Sequence, residues 1–191
     1  MKELFDFINN EGFLKSKGSG NEVPYYIYDY NPKEELVMRE KIEWIIKKAT
    51  IKIVNINLFE VMLELFKDDG METLFEYEED EGLNAFLNEV ILPVINENIE
   101  NGDNPEEDNP FIDLIIEKIQ GNDVIFITGV GSAFQFMRLH QVLQKLSDKK
   151  MDMPIIGFYP GTYTMETLNL FNIYESKNFY RAFKLNNLVY R

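Results

Sequence analysis

The sequence predicts an α/β fold: a mostly parallel open sheet of about five strands flanked by helices, Rossmann-like or degenerate P-loop-like, with an acidic helical insertion. Three observations predict it. Val124–Thr128 and Pro154–Tyr159 are short continuous apolar runs, which is how strands covered on both faces read. The stretch between them has helical period and is long enough for the crossover that parallel strands require. Two further runs, Val23–Tyr30 and Ile51–Ile56, are each followed by a segment of helical period. Gly129 and Gly161 close the first two runs and are expected as turns at the carboxyl ends of neighbouring strands, the edge where open α/β sheets bind ligands and partners.

The 191 residues suit a single α/β domain over 1–191, with 71–108 as a helical insertion within it. A formal charge of −14 disfavours direct nucleic-acid binding, which relies on Lys and Arg displacing counterions from phosphates; it suits a basic partner. The absence of Cys excludes disulfides and thiolate metal sites and is compatible with a reducing cytoplasm. No apolar run has the length of a membrane span, and MKELFDFINNEGF lacks the apolar core of a signal peptide. The expectation is a cytoplasmic protein.

In chain order, Leu4, Phe5, Phe7 and Ile8 make a short amphipathic helix, and Gly12 to Gly20 reads as a loop. Val23–Tyr30 is a strand rich in aromatic and β-branched residues, with Pro24 at its start. Asn31 caps and Pro32 opens the helix Pro32–Lys48, in which Met38, Ile42, Ile45, Ile46 and Ala49 recur at helical spacing. Ile51–Ile56 is the second strand. Asn57 with Glu60 has the form of a capping box opening the next helix, which Gly70 closes.

From Met71 to Asp108 the chain turns acidic, with five carboxylates in Glu76–Glu81 alone. Leu83, Phe86, Leu87, Val90, Ile91, Val94 and Ile95 keep a helical period there, with a kink expected at Pro93. Asn109 caps and Pro110 opens a helix that Gly121 stops. After the central β-α-β unit, Leu168–Phe171 reads as a short helix or turn. Asn178–Leu185 alternates like a terminal or edge strand.

Candidate chemistry lies at the carboxyl edge. The turn Thr128-Gly129-Val130-Gly131-Ser132 before a helix can hold an anion on free N–H groups, or serve only as a tight turn. It lacks the third glycine of GxGxxG, Phe134 standing in that place, and no GxxxxGK[ST] occurs in the chain. His140, the one histidine, falls on the apolar face of its helix and lacks the neighbours of a metal site. Ser132, eight residues before it and after a glycine, is the candidate nucleophile, but its surroundings do not form GxSxG. Arg138 and Arg181 can reach that edge to bind a carboxylate or phosphate, or can pair with the chain's own acids, Asp29 being the obvious internal partner. Tyr159-Pro160-Gly161 reads as a turn. No cofactor is expected.

The succession VPYYIYDYNPKEEL, IKIVNINLFEVMLELF, DVIFITGVGSAFQFMRLHQVLQKL, PIIGFYPGTYTMETLNLF and NFYRAF resembles the BrxB family of bacteriophage exclusion (BREX) systems, over most of the chain from Val23 to Leu185. Gly129, Gly131, Arg138, His140, Tyr159, Pro160, Gly161, Tyr180 and Arg181 match the family's pattern, whereas Gln135 and Phe179 depart from it. The resemblance implies a cytoplasmic accessory component encoded beside a large AAA+ ATPase, a DNA methyltransferase and an alkaline-phosphatase-like protein. It implies a system and no reaction. The expected function is therefore non-catalytic assembly, by binding the alkaline-phosphatase-like or the AAA+ component. The alternatives are a nucleotide- or anion-binding protein using Gly129–Ser132, and an acidic regulator that mimics nucleic acid.

Overall fold

A computed structural model of the chain describes residues 2–14, 25–67, 70–93, 110–149, 151, 153–164, 166–177 and 182–189. Two short helices, α1 (Lys2–Ile8) and α2 (Glu11–Leu14), precede strand β1 (Tyr25–Tyr30). The Asn31 side chain accepts from Lys33 N and Pro32 opens a 3₁₀ turn that runs into α3 (Glu35–Lys48). Strand β2 (Ile53–Asn57) leads directly into α4 (Leu58–Leu65), then α5 (Met71–Glu81) and the short α6 (Leu83–Ala85), which continues as the π-helical Phe86–Ile91. Helix α7 (Pro110–Ile119), strand β3 (Val124–Thr128), and helices α8 (Val130–Ala133) and α9 (Leu139–Asp148) follow. Strands β4 (Ile155–Tyr163), β5 (Thr167–Leu170), β6 (Tyr174–Lys177) and β7 (Phe183–Lys184) and helix α10 (Asn186–Val189) complete it.

The sheet order is β2-β3-β4-β1-β7, five parallel strands, with β5 and β6 added as an antiparallel hairpin on the far end of β4. The expected α/β architecture is therefore observed. Val124 and Phe126 of β3 face one layer with α1 and α3, while Ile125 and Ile127 face the other with α4, α7 and α9. All four are fully buried, which is why the run is apolar without alternation. The chain leaves β1 for the α3 face and β3 for the opposite one, so a crevice opens at the carboxyl edge above β4.

Two expectations are corrected here. Tyr159-Pro160-Gly161 is not a turn: β4 runs straight through it, pairing Pro160 with Tyr30 of β1 and then Gly161 with Leu170 of β5. Proline is tolerated at this exchange of partners because what the hairpin uses is its carbonyl, which accepts from Phe171 N at 2.8 Å. Glycine is required, since a Cβ on Gly161 (φ +154) would lie 2.1 Å from the Asn169 carbonyl oxygen. Likewise the span taken as a helix or turn, Leu168–Phe171, is strand β5 up to Leu170, and the reversal falls at Phe171–Ile173, where Phe171 and Asn172 have positive φ.

The helical period after Gly129 also misled. Helix α8 stops at Ala133, Arg138 is extended (φ −112, ψ 138), and α9 starts afresh with Gln141 Oε1 accepting from Arg138 N at 2.9 Å. Gly12–Leu14, the start of the expected loop, belongs to helix α2, and residues 15–20 of that loop lie outside the described residues. Residues 94–109 and 178–181, which hold the second acidic tract, Tyr180 and Arg181, lie outside the described residues.

Candidate functional site at the carboxyl edge

Two groups of side chains meet at this edge, one on each face. On the α3 face a cavity of about 180 Å³ is lined by Tyr30, Glu35, Arg39 and Glu43 from the β1–α3 passage, by Asn55, Asn57 and Glu60, and by Thr128 and Gly129, over Phe158 of β4. Its walls are bonded to one another. Thr128 Oγ1 donates to Asn55 Oδ1 at 2.9 Å, and the Tyr30 hydroxyl and Arg39 Nε both donate to Glu35. Burial, and then Glu35, push the Tyr30 phenol far above its ordinary range.

Asn57 ties the cavity to the glycine turn. Its Oδ1 accepts from Phe59 N at 3.1 Å, capping α4, while its Nδ2 donates to Glu60 Oε1 at 2.9 Å; Glu60 thus holds the capping side chain, not the backbone N–H of a standard capping box. Gly129 is left-handed (φ 71), and a Cβ there would sit 2.0 Å from Asn57 Oδ1. Its glycine requirement is thus explained by the close approach of two strand ends. Helix α8, with four residues, is too short to build a substantial dipole behind Gly129–Ser132.

On the opposite face Arg138 folds back onto its own turn. Its Cζ lies 3.8 Å from the Phe134 ring centroid and its guanidinium donates to the Phe134 carbonyl oxygen. Phe134 in turn packs against the half-exposed Tyr174 of the hairpin, ring centroids 5.2 Å apart. No carboxylate pairs with Arg138 among the described residues. Burial lowers the pKa of Arg138 and, helped by the Arg138 charge, that of His140; burial raises that of Tyr159, against the pull of Arg138. These three therefore share one electrostatic neighbourhood. Gly131 lies against the Phe171 ring and Pro160, so the hairpin is seated on the glycine turn. Ser132 is exposed, and no hydrogen bond joins it to His140 among the described residues.

Asp29 pairs with Lys184 and not with Arg138, and Arg181, the other expected partner, lies outside the described residues. Asp29 Oδ2 lies 2.6 Å from Lys184 Nζ and accepts from Tyr163 N at 2.8 Å, a structural tie between β1, β4 and β7. Thr128 was legible as part of the glycine turn and Asn57 only as a cap, whereas nothing local marks Asn55, Phe134 or Tyr174 as site residues. No group of three His, Cys, Asp or Glu is placed to hold a metal ion among the described residues, and none of their helices is long and apolar enough to cross a membrane.

The family model described as "BREX protein BrxB" matches residues 54–185, from Val54 of β2 through β3 and β4 and the whole Arg138–Tyr174 face. The chain belongs to the BrxB family. A BREX protein BrxB of Bacillus cereus (strain H3081.97) is 32% identical over 97% of this chain and 95% of the relative. Another, from Escherichia coli O9:H4 (strain HS), is 29% identical over 97% of this chain and 89% of its own length. No solved structure matches the chain. Within the family-matched span Gly131, Pro160 and Gly161 meet at the seat of the hairpin, and Gly129 closes against Asn57.

Proposed function

We propose that this BrxB-family chain is a non-catalytic assembly component of a cytoplasmic BREX antiphage defence system, coupling other BREX proteins through its carboxyl edge. The observation that carries the proposal is the Arg138–Phe134–Tyr174 stack: an arginine with no carboxylate partner among the described residues, held over an aromatic ring beside a half-exposed tyrosine. Arginine and tyrosine are the residue types that dominate binding energy at protein interfaces. The adjacent Ile173, 74% exposed at the hairpin tip, extends the patch. In a chain of net charge −14, a stacked cation of this kind gives an acidic group on a partner a specific place to dock. The alkaline-phosphatase-like and AAA+ ATPase components are the partners we assign to it.

Anion or nucleotide binding at Gly129–Ser132 is the weaker reading, because the adjoining cavity presents Glu35, Glu43 and Glu60 against the single cation Arg39.

The test is co-purification of the tagged chain, made together with the other products of a BREX operon, as wild type and as Arg138→Ala with Tyr174→Ala. Retention of the phosphatase-like or ATPase component by the wild type, lost in a double variant of unchanged melting temperature, is the expected result. A wild-type chain that retains no component overturns the proposal.

A further inference from the structure

Beside the carboxyl edge, α4 and the acidic segment that follows it enclose a second concavity, bounded on the side of that edge by Phe59 and Phe136. It has a volume of about 190 Å³ and its exposed lining is wholly apolar. Met62, Phe66, Leu74 and Ile91 form a buried floor, while the rim side chains Leu63, Phe75 and Leu83 are 38%, 59% and 56% exposed. Isolated exposed apolar residues are ordinary; a contiguous groove with three on its rim is a binding surface.

The charge around this groove is one-sided. Its walls, residues 58–67 and 71–93, hold nine carboxylates against the single cation Lys67. Among the described residues only Glu64 of these is committed to an ion pair, with Lys118 at 2.8 Å. Glu72, Glu76, Glu79, Asp80 and Glu81 are all exposed on α5. Residues 94–109, next in the chain, add six more acidic side chains and no basic one, so like charge opposes that segment, or a second copy of this acidic chain, as the occupant.

We infer that this groove receives a basic amphipathic helix of a partner protein. Apolar side chains at helical spacing enter between Leu63, Phe75 and Leu83, and the Lys and Arg of the helix's other face lie along the α5 carboxylates. The inference rests on the assembly reading and gives it a second contact besides the Arg138 stack, through different rim side chains.

Two measurements test it. A fluorescent helical peptide of Leu and Lys, and its counterpart with Glu in place of every Lys, are titrated into the chain and into Leu63→Ser with Phe75→Ser and Leu83→Ser, which alter exposed positions only. The basic peptide binds the wild type, binds the variant roughly tenfold or more weakly, and loses affinity as salt rises; the acidic peptide fails to bind. Equal binding of the basic peptide to both proteins, or of both peptides to the wild type, overturns the inference, as does a dimer of the chain alone that the variant dissociates.

In the co-expression experiment, the variant loses a BREX component that the wild type retains. If it keeps every component, the groove falls and the assembly reading stands. If the wild type itself keeps none, the assembly reading falls, and the peptide pair alone decides whether the groove takes a basic helix.

Discussion

Lys184 Nζ lies 2.6 Å from Asp29 Oδ2 and 2.9 Å from the Tyr163 carbonyl oxygen, so one ammonium group joins edge strand β7 to the ends of β1 and β4. The Asp29 side chain is only 8% exposed. Removing one partner of a largely buried pair leaves the other charge uncompensated. Asp29→Ala, which also frees Tyr163 N, is expected to cost about 2–4 kcal/mol in urea unfolding. Lys184→Met, which leaves an unpaired carboxylate, is expected to cost a similar amount, and the double variant less than the sum of the two.

The seat of the hairpin gives a sharper contrast. Gly161→Ala sets a methyl group 2.1 Å from the Asn169 carbonyl oxygen, whereas at Gly121 (φ +72) a Cβ meets nothing within 4 Å. Gly161→Ala is therefore expected to cost about 3 kcal/mol or more and Gly121→Ala about 1 kcal/mol, as read from denaturation midpoints. Equal costs would remove the close approach of β5 as the reason for glycine at 161.

How much of this was legible follows from what the sequence encodes locally. Strand β3 was readable because both of its faces are buried, and α3 because Asn31, Pro32 and its apolar spacing agree. The β5–β6 hairpin was not readable. Pro160 and Gly161 normally reverse a chain, and nothing nearby reveals that Asn169 comes to lie against Gly161. The break at Arg138 was hidden for a similar reason, since the apolar period continues across it while the determining contact, Gln141 onto Arg138 N, is polar. Lys184 was not legible as a partner of Asp29 because β7 lies beside β1, a sheet order that spacing alone does not fix.

The single histidine offers a pH test. Burial and the Arg138 charge lower the folded-state pKa of His140 below its ordinary 6.5. Between that lowered value and 6.5 the unfolded chain binds the proton and the folded chain does not, so stability is full above about pH 6.5 and falls as pH drops through this window. His140→Gln is expected to flatten that part of the stability profile. In a nuclear magnetic resonance titration the His140 pKa should rise in Arg138→Met; a pKa that stays fixed would contradict the shared neighbourhood of the two side chains.

The cation–π contact has its own consequence. Arg138→Lys keeps the charge but loses the flat guanidinium that lies 3.8 Å from the Phe134 centroid. It is expected to change stability by less than about 1 kcal/mol while weakening retention of the partner as much as Arg138→Ala does. Full retention by the lysine variant would reduce the role of Arg138 to charge alone.

The most direct measurement is phage plating efficiency on cells whose complete BREX system carries the chain as wild type, Arg138→Ala, Tyr174→Ala or both, scored beside co-purification of the other components from the same cells. Assembly through the Arg138–Phe134–Tyr174 face predicts that protection falls in the same order as retention and is abolished in the double variant. Full protection from a folded variant that no longer holds any component would contradict it.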